Sequence, residues 1–280
     1  MISVIKKLFF AALILLSTKQ LIAQNSFKEQ FELAKKLFYQ DKYFDAVTEF
    51  KRLLFFDESK SYQYQANLMI GLSYKFGAKY SDAAKYLTLA EMNSVTEDEL
   101  FDARIEMIKV NILRRTTFRA LVLCDSLQTD SKFNNRTNEI NYWRGWAYIF
   151  AEDWANASQS FGRISANNQL TVFCDSLANE MYDPTLAKML SIVPGPGQFY
   201  TGEYVSGLIS IGWNVLWGYL TINAFLEERV FDGFVVGTLL WWRFYSGNLQ
   251  NAEKYAIEKN LEKTNSALRY LQYDYTGQKP

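Results

Sequence analysis

Four alanines stand 37 residues apart, Ala46, Ala83, Ala120 and Ala157, and each sits in the same local frame. Three residues earlier come Tyr43, Tyr80, Thr117 and Trp154; four later, Phe50, Leu87, Cys124 and Phe161; seven later, Leu53, Ala90, Leu127 and Ile164. Offsets of four and seven share one helix face. Twelve residues before the alanines stand Ala34, Gly71, Ile108 and Gly145, small in three copies of four. A whole frame recurring at one period is the mark of stacked supersecondary units, in which each unit covers a face its neighbour cannot cover alone. The pattern predicts an all-α chain of helix–turn–helix units. The first has helices over 27–39 and from about Phe44 to Phe55, and later turns fall at Gly77–Tyr80 and Glu152–Trp154. Thr96 with Glu99 reads as a capping box opening the third unit.

Composition narrows the chemistry. Thirty Lys and Arg balance thirty Asp and Glu, so no basic excess attracts phosphate backbones, and nucleic acid is not an expected partner. The absence of histidine removes histidine-based triads and metal sites. No phosphate loop, CxxC or metal-spaced cluster occurs, and adjacent acids such as Asp98–Glu99 and Glu227–Glu228 read as solvated caps. The chain is therefore expected to be non-enzymatic and to need no cofactor. Cys124 and Cys174 sit in twin Cys-Asp-Ser-Leu strings. They are either two inert buried thiols or, in an oxidising compartment, a disulfide.

Residues 1–24 read as a secretory signal: Lys6 and Lys7, then ten apolar residues from Leu8 to Ser17, then Leu21-Ile22-Ala23 as a cleavage site. The alternative is an uncleaved anchor, although ten apolar residues fall short of the ~20 that span a bilayer.

In Gly71, Tyr74, Ala83 and Leu87, and again in Gly145, Tyr148, Ala157 and Phe161, the chain resembles tetratricopeptide repeats. The first unit (Leu33, Ala34, Leu37, Ala46, Phe50) keeps the pattern fairly and the third keeps little beyond Ala120. The period exceeds the family's usual 34 residues, which implies longer connections between units, and no proline closes a unit. The resemblance covers about residues 26–166 and implies a solenoid, with a capping helix completing a repeat domain over 25–182. It also implies a concave groove facing a protein partner, lined by Lys35, Tyr39, Leu72, Lys109, Tyr142 and Trp146. Phe31, Lys35 and Met69 occupy positions where some members grip a peptide carboxylate, so that clamp is not expected. The same aromatics have an alternative use, packing against the next repeat.

Beyond Leu170 the pattern changes. Residues 183–249 read as a membrane module. A Pro/Gly turn, Pro194 to Gly202, precedes a 23-residue stretch without charge, Tyr204 to Leu226, and a shorter apolar run over 233–245. The first stretch exceeds the ~20 residues a bilayer requires, and together the two predict a short transmembrane helical hairpin in the lipid bilayer. Gly233 and Gly237 form a GxxxG that would bring the two spans close. The alternative is an apolar hairpin buried in a soluble domain. Residues 250–280 return to an amphipathic, charged helix and tail. The string Pro194, Gly195, Gly197, Gln198, Tyr200, Gly202 resembles the opening of small two-helix membrane modules of bacterial envelope proteins, and Arg243 to Asn248 with Ala252 resembles their end; Pro196 departs from that pattern.

Together these features suggest a membrane-anchored scaffold or adaptor in the bacterial cell envelope, with its repeats facing the periplasm. Three alternatives stand beside it: an assembly or insertion factor for envelope membrane proteins, a soluble periplasmic adaptor, and an enzyme or transporter using Asn214, Asn223 and Asp232.

Overall fold

The computed structural model describes residues 27–280, so the expected signal over 1–24 lies outside the described residues. Among the described residues about 80% are helical and none is in a strand, and the helices pack in a repeat-like manner. The chain forms two compact units, one running to Cys174 and the other from Asp175 to Gln278.

The first unit alternates helices α1 (27–39), α2 (Tyr43–Phe56), α3 (Gln63–Phe76), α4 (Tyr80–Met92), α5 (Glu97–Leu113), α6 (Thr117–Thr129), α7 (Thr137–Phe150) and α8 (Trp154–Gly162), and enters α9 (Gln169–Glu180). A 3₁₀ segment, Ser131–Arg136, precedes α7. The second helix of every pair starts on the residue three before the alanine of the frame. One backbone device produces this. Asp41, Ala78, Arg115 and Glu152, again 37 apart, all adopt the left-handed conformation, with φ of 59, 56, 60 and 62°. The next amide returns to a carbonyl five residues back: Lys42 to Leu37, Lys79 to Tyr74, Thr116 to Asn111 and Asp153 to Tyr148, at 2.8–3.0 Å. This Schellman-type stop satisfies the last carbonyls of one helix and aims the chain into the next. The longer period is absorbed elsewhere, in the connections 57–62, 93–96 and 130–136.

The frame alanines are fully buried, as are Phe50, Leu87, Cys124 and Phe161 one turn on. Facing positions compensate in volume. Gly71 pairs with Leu87 and Gly145 with Phe161, so closely that a Cβ on either glycine would lie 2.8 or 2.5 Å from the partner side chain. In the third unit the same two positions hold Ile108 and Cys124, large and small exchanged, both fully buried. The +7 position fails only in the fourth unit, where α8 ends at Gly162 and leaves Ile164 half-buried beyond it. The capping box is present: Thr96 Oγ1 accepts from the Glu99 amide at 3.2 Å, and Glu99 Oε2 accepts from the Thr96 amide at 3.3 Å.

The second unit contains α10 (Pro184–Leu190), α11 (Pro196–Tyr200), α12 (Tyr204–Leu226), α13 (Val230–Val235), a π-helical turn (Val236–Trp241) and α14 (Trp242–Tyr273). The turn of the repeats recurs here. Gly202 and Glu228 are left-handed, and the amides of Glu203 and Arg229 return to Gln198 and Ala224 at 2.8 and 2.9 Å. Helix α12 runs antiparallel to the α13–α14 rod. Ser206 bonds Tyr255, Ser210 bonds Asn248, Gly237 packs on Thr221 and Gly233 on Phe225. The GxxxG thus faces α12, as its spacing implied.

The expected boundary at 249/250 does not appear in the backbone: α14 continues unbroken for 32 residues. Hydropathy changes there, but no proline or cap interrupts the hydrogen bonding, so polarity shifts along one continuous helix. Among the described residues, α12 is the one helix long and apolar enough to cross a membrane by itself.

Candidate functional site

The Pro/Gly turn of the second unit is a tight junction of three helices. Gly195 caps α11 at φ 109°, a conformation closed to side chains, with Pro196 in the first helical position, where no amide is needed. Gly197 lies where α10, α11 and α14 cross. A Cβ there would come within 1.9 Å of Ser191 Oγ, 2.2 Å of the Ala187 carbonyl and 2.9 Å of Ala252 Cβ. Pro194 is half-buried in the turn ahead of them. The Tyr200 hydroxyl accepts from the Asp183 amide at 3.0 Å and its ring meets Tyr182 edge-on, while Gly202 makes the left-handed exit into α12. Asp183 also N-caps α10, accepting from the Thr185 and Leu186 amides.

Gln198 joins this junction to the second resembling string. It is 1% exposed, and its Nε2 donates to Asn248 Oδ1 at 2.7 Å and to the Asn248 carbonyl at 3.2 Å. Ser210 Oγ donates to the same Asn248 Oδ1 at 2.6 Å, and Asn248 Nδ2 donates to the Ser191 carbonyl at 2.7 Å. Asn248 therefore ties α14 to α11, to α12 and to the segment after α10. Tyr245 donates to the Ile192 carbonyl at 3.1 Å. Deeper along α12, Asn214 Nδ2 bonds the Ser210 carbonyl at 2.8 Å, and Trp213, Trp217 and Phe244 stack within 5.5–6.2 Å. Four polar atoms of this seam are buried without a partner: Ser191 Oγ, Gln198 Oε1, Asn214 Oδ1 and Trp217 Nε1. Each such group costs about 1–3 kcal/mol. The seam opens into a cavity of about 290 Å³. On other stretches of the hairpin, Phe225, Phe234 and Trp241 help line an apolar cavity of about 570 Å³.

The groove residues of the first unit are placed less uniformly. Tyr39 is 73% exposed. Lys35 is half-exposed over the Phe31 ring, and Leu72 and Tyr142 are half-buried. Trp146 is a correction: at 2% exposure it is packing rather than open lining, because its indole lies on the buried face of α7. Lys109 belongs to a cluster not anticipated from the sequence. Glu106 bridges Lys75 at 2.7 Å and Lys109 at 2.5 Å, and Lys109 Nζ lies 4.4 Å from the centre of a Trp143 ring. Burial raises the Glu106 pKa, but the two ammonium groups outweigh it and hold the carboxyl below its usual range. The cluster links α3, α5 and α7 with one more positive charge than negative.

Cys124 and Cys174 are free, buried thiols. Desolvation pushes each up to about 12, so neither is a nucleophile at neutral pH. Asn223 bonds Glu227 at 3.2 Å, and Asp232 pairs with Arg229 at 3.7 Å, both at the exposed end of the hairpin away from the seam. Comparison with family models, curated proteins and solved structures returns no match for this chain.

Proposed function

We propose that this protein is a non-enzymatic scaffold of the bacterial cell envelope. In this reading a tetratricopeptide-like array holds a segment of a partner protein, and the α12–α14 hairpin anchors the array in a membrane. One observation carries the anchor. Helix α12 is built inside out. It buries Gly207, Asn214, Gly218, Thr221 and Ala224 and exposes Val205, Leu208, Val215, Leu216, Ile222 and Leu226. A core helix of a soluble protein does the reverse, and only 22% of the most apolar stretch of α12 is buried. Small and polar residues between helices, with apolar residues outside, suit a lipid solvent. The 23 residues of α12 span about 34 Å at 1.5 Å each, close to the bilayer core. Charged groups stand at both ends: Glu203 with Lys259, and Glu227 to Asp232.

The partner groove rests on Tyr39, which is exposed, and on Lys35, Leu72, Lys109 and Tyr142, which are partly buried, all on the first helices of the pairs. The anchor is tested by alkaline carbonate extraction of membranes carrying the full chain, which should leave it in the pellet; recovery in the supernatant would refute it. Reporter fusions after Pro280 test the orientation. A periplasm-active reporter should give signal, and a cytoplasm-active one should be silent.

A further inference from the structure

The Pro/Gly turn lies below the level at which α12 begins, and three contacts fix its depth. A Cβ on Gly195 would lie 2.7 Å from Ile211, well past Tyr204 along α12. The Ser191 carbonyl accepts from Asn248, which also takes the bond from Ser210. The Ile192 carbonyl accepts from Tyr245, next in α14 to Phe244, whose ring stacks on Trp213. At 1.5 Å per residue these levels lie about 9–13 Å beyond Tyr204. The start of α10 lies on the other side of that level. Tyr182 exchanges both backbone groups with Asn260, far above Asn248 on the same helix. Between the two, Lys188 pairs with Glu253 at 2.8 Å, level with the first turn of α12. The chain thus descends through α10, turns at Pro194–Pro196 and climbs back through α11 to Gly202.

Two features of the turn suit hydrocarbon. A lipid interior offers no hydrogen bonds, so backbone placed in it must find partners within the protein. Here Asn248 and Tyr245 cap the Ser191 and Ile192 carbonyls, and the Gly195 carbonyl accepts from the Phe199 amide at 3.1 Å. Pro194 and Pro196 have no amide to leave bare. The second feature is the outer surface. Between Lys188 and Glu203 the chain carries no charge. From Met189 to Gln198 the exposed side chains are Met189, Leu190, Ile192 and Val193, each 37–64% open. A turn facing water needs neither device: water serves its carbonyls, and its open positions go to polar residues. Leu208 and Ile209, exposed on α12 at about the same depth, continue this apolar surface.

We propose that α10, the Pro/Gly turn and α11 form a re-entrant wedge, inserted about 10 Å into the leaflet that α12 enters first, with Met189, Leu190, Ile192 and Val193 against lipid acyl chains. The inference rests on the membrane reading of α12. Lys188 and Glu253 stay paired at the head-group level. The leaflet at the start of α12 then holds α10, α11, α12 and α14, and the opposite leaflet holds only the α12–α13 end of the hairpin, so the anchor is broader on one side of the bilayer.

The test uses the full chain in vesicles of phosphatidylcholine with phosphatidylglycerol. A nitroxide label is attached in turn to Val193→Cys, Thr185→Cys and Leu216→Cys. Cys124 and Cys174 are buried, and the unsubstituted chain taken through the same labelling gives the background. Power-saturation electron paramagnetic resonance compares collisions with oxygen, which concentrates in hydrocarbon, and with a neutral nickel chelate, which stays in water. The oxygen-to-chelate ratio at 193 should exceed that at 185 severalfold and approach that at 216; Ile192→Cys is a second reporter of the same turn and should agree. A turn as open to the chelate as position 185 would overturn the wedge. So would a turn shielded from both reagents, which would mean that protein and not lipid covers it. Position 216 separates the two readings: chelate access at 193 with oxygen access at 216 loses the wedge and keeps the anchor, whereas chelate access at 216 removes the anchor itself.

Discussion

Adding one methyl group at Gly145 isolates the volume compensation between paired helices. In an open helix, Gly→Ala stabilises by about 1 kcal/mol through backbone entropy. At Gly145 the new Cβ would lie 2.5, 2.6 and 2.7 Å from three atoms of the Phe161 ring. Ordinary contact begins near 3.4 Å, so ring and helix must separate by most of an ångström. Phe161 is fully buried and packed edge-on against Tyr142 at 5.6 Å, so the ring has nowhere to retreat. Overpacking of this kind costs about 1–3 kcal/mol. Subtracting the propensity gain leaves a net loss of up to about 2 kcal/mol, or as much as roughly 8 °C in Tm at 2–4 °C per kcal/mol. Thermal melts of the full chain in mild detergent, followed by far-ultraviolet circular dichroism, read the shift. Gly247→Ala is the internal control, since nothing lies within 4 Å of its Cβ position and the melt should rise. Phe161→Leu in the Gly145→Ala background should recover much of the loss, giving a favourable coupling between sites that each destabilise alone. If Gly145→Ala raises Tm as Gly247→Ala does, the pairing of small with large residues is not what sets the approach of α7 to α8.

Ala78→Gly should stabilise the chain by about 0.5–1 kcal/mol, because an exposed L-residue held at φ 56° carries a strain that glycine does not; a lower Tm would contradict the shared turn. The Glu106 carboxyl has its folded pKa depressed by Lys75 and Lys109. Its contribution is complete above the unfolded carboxylate value of about 4.3 and is lost as pH falls through the lower folded value. The stability gap between wild type and Glu106→Gln should accordingly be constant above about pH 5 and close towards pH 3 in urea titrations; a gap that widens on acidification would refute the assignment. Cys124 and Cys174 should resist a thiol reagent at pH 8 in the folded chain and both react in urea, and prompt labelling of either would contradict their burial.

Residues whose identity is constrained by volume were visible in the sequence, and residues constrained only by backbone or by distant pairing were not. Ala46, Ala83, Ala120 and Ala157 recur because only a small side chain fits between the paired helices, so packing leaves a mark in residue type. The left-handed positions recur just as regularly, yet they hold Asp41, Ala78, Arg115 and Glu152, four unrelated side chains. A single αL residue costs an L-amino acid only about 1–2 kcal/mol, which a closed Schellman turn offsets, so no composition signal remains. Lys75, Glu106 and Lys109 meet between helices of different pairs, at no shared frame position, and periodicity has no means of joining them. Trp146 shows the opposite failure. It stands in register with Lys35, Leu72 and Lys109, but register fixes a direction relative to its own helix and not what lies across from it, and α7 turns the indole into the packed interior. Gln198 and Asn248 were each visible within a separate resembling string, fifty residues apart; their 2.7 Å bond shows why both strings carry a buried amide. A buried amide needs its complement, and once the two are joined the oxygens left over, Gln198 Oε1 and Asn214 Oδ1, become the feature that packing inside the chain does not account for.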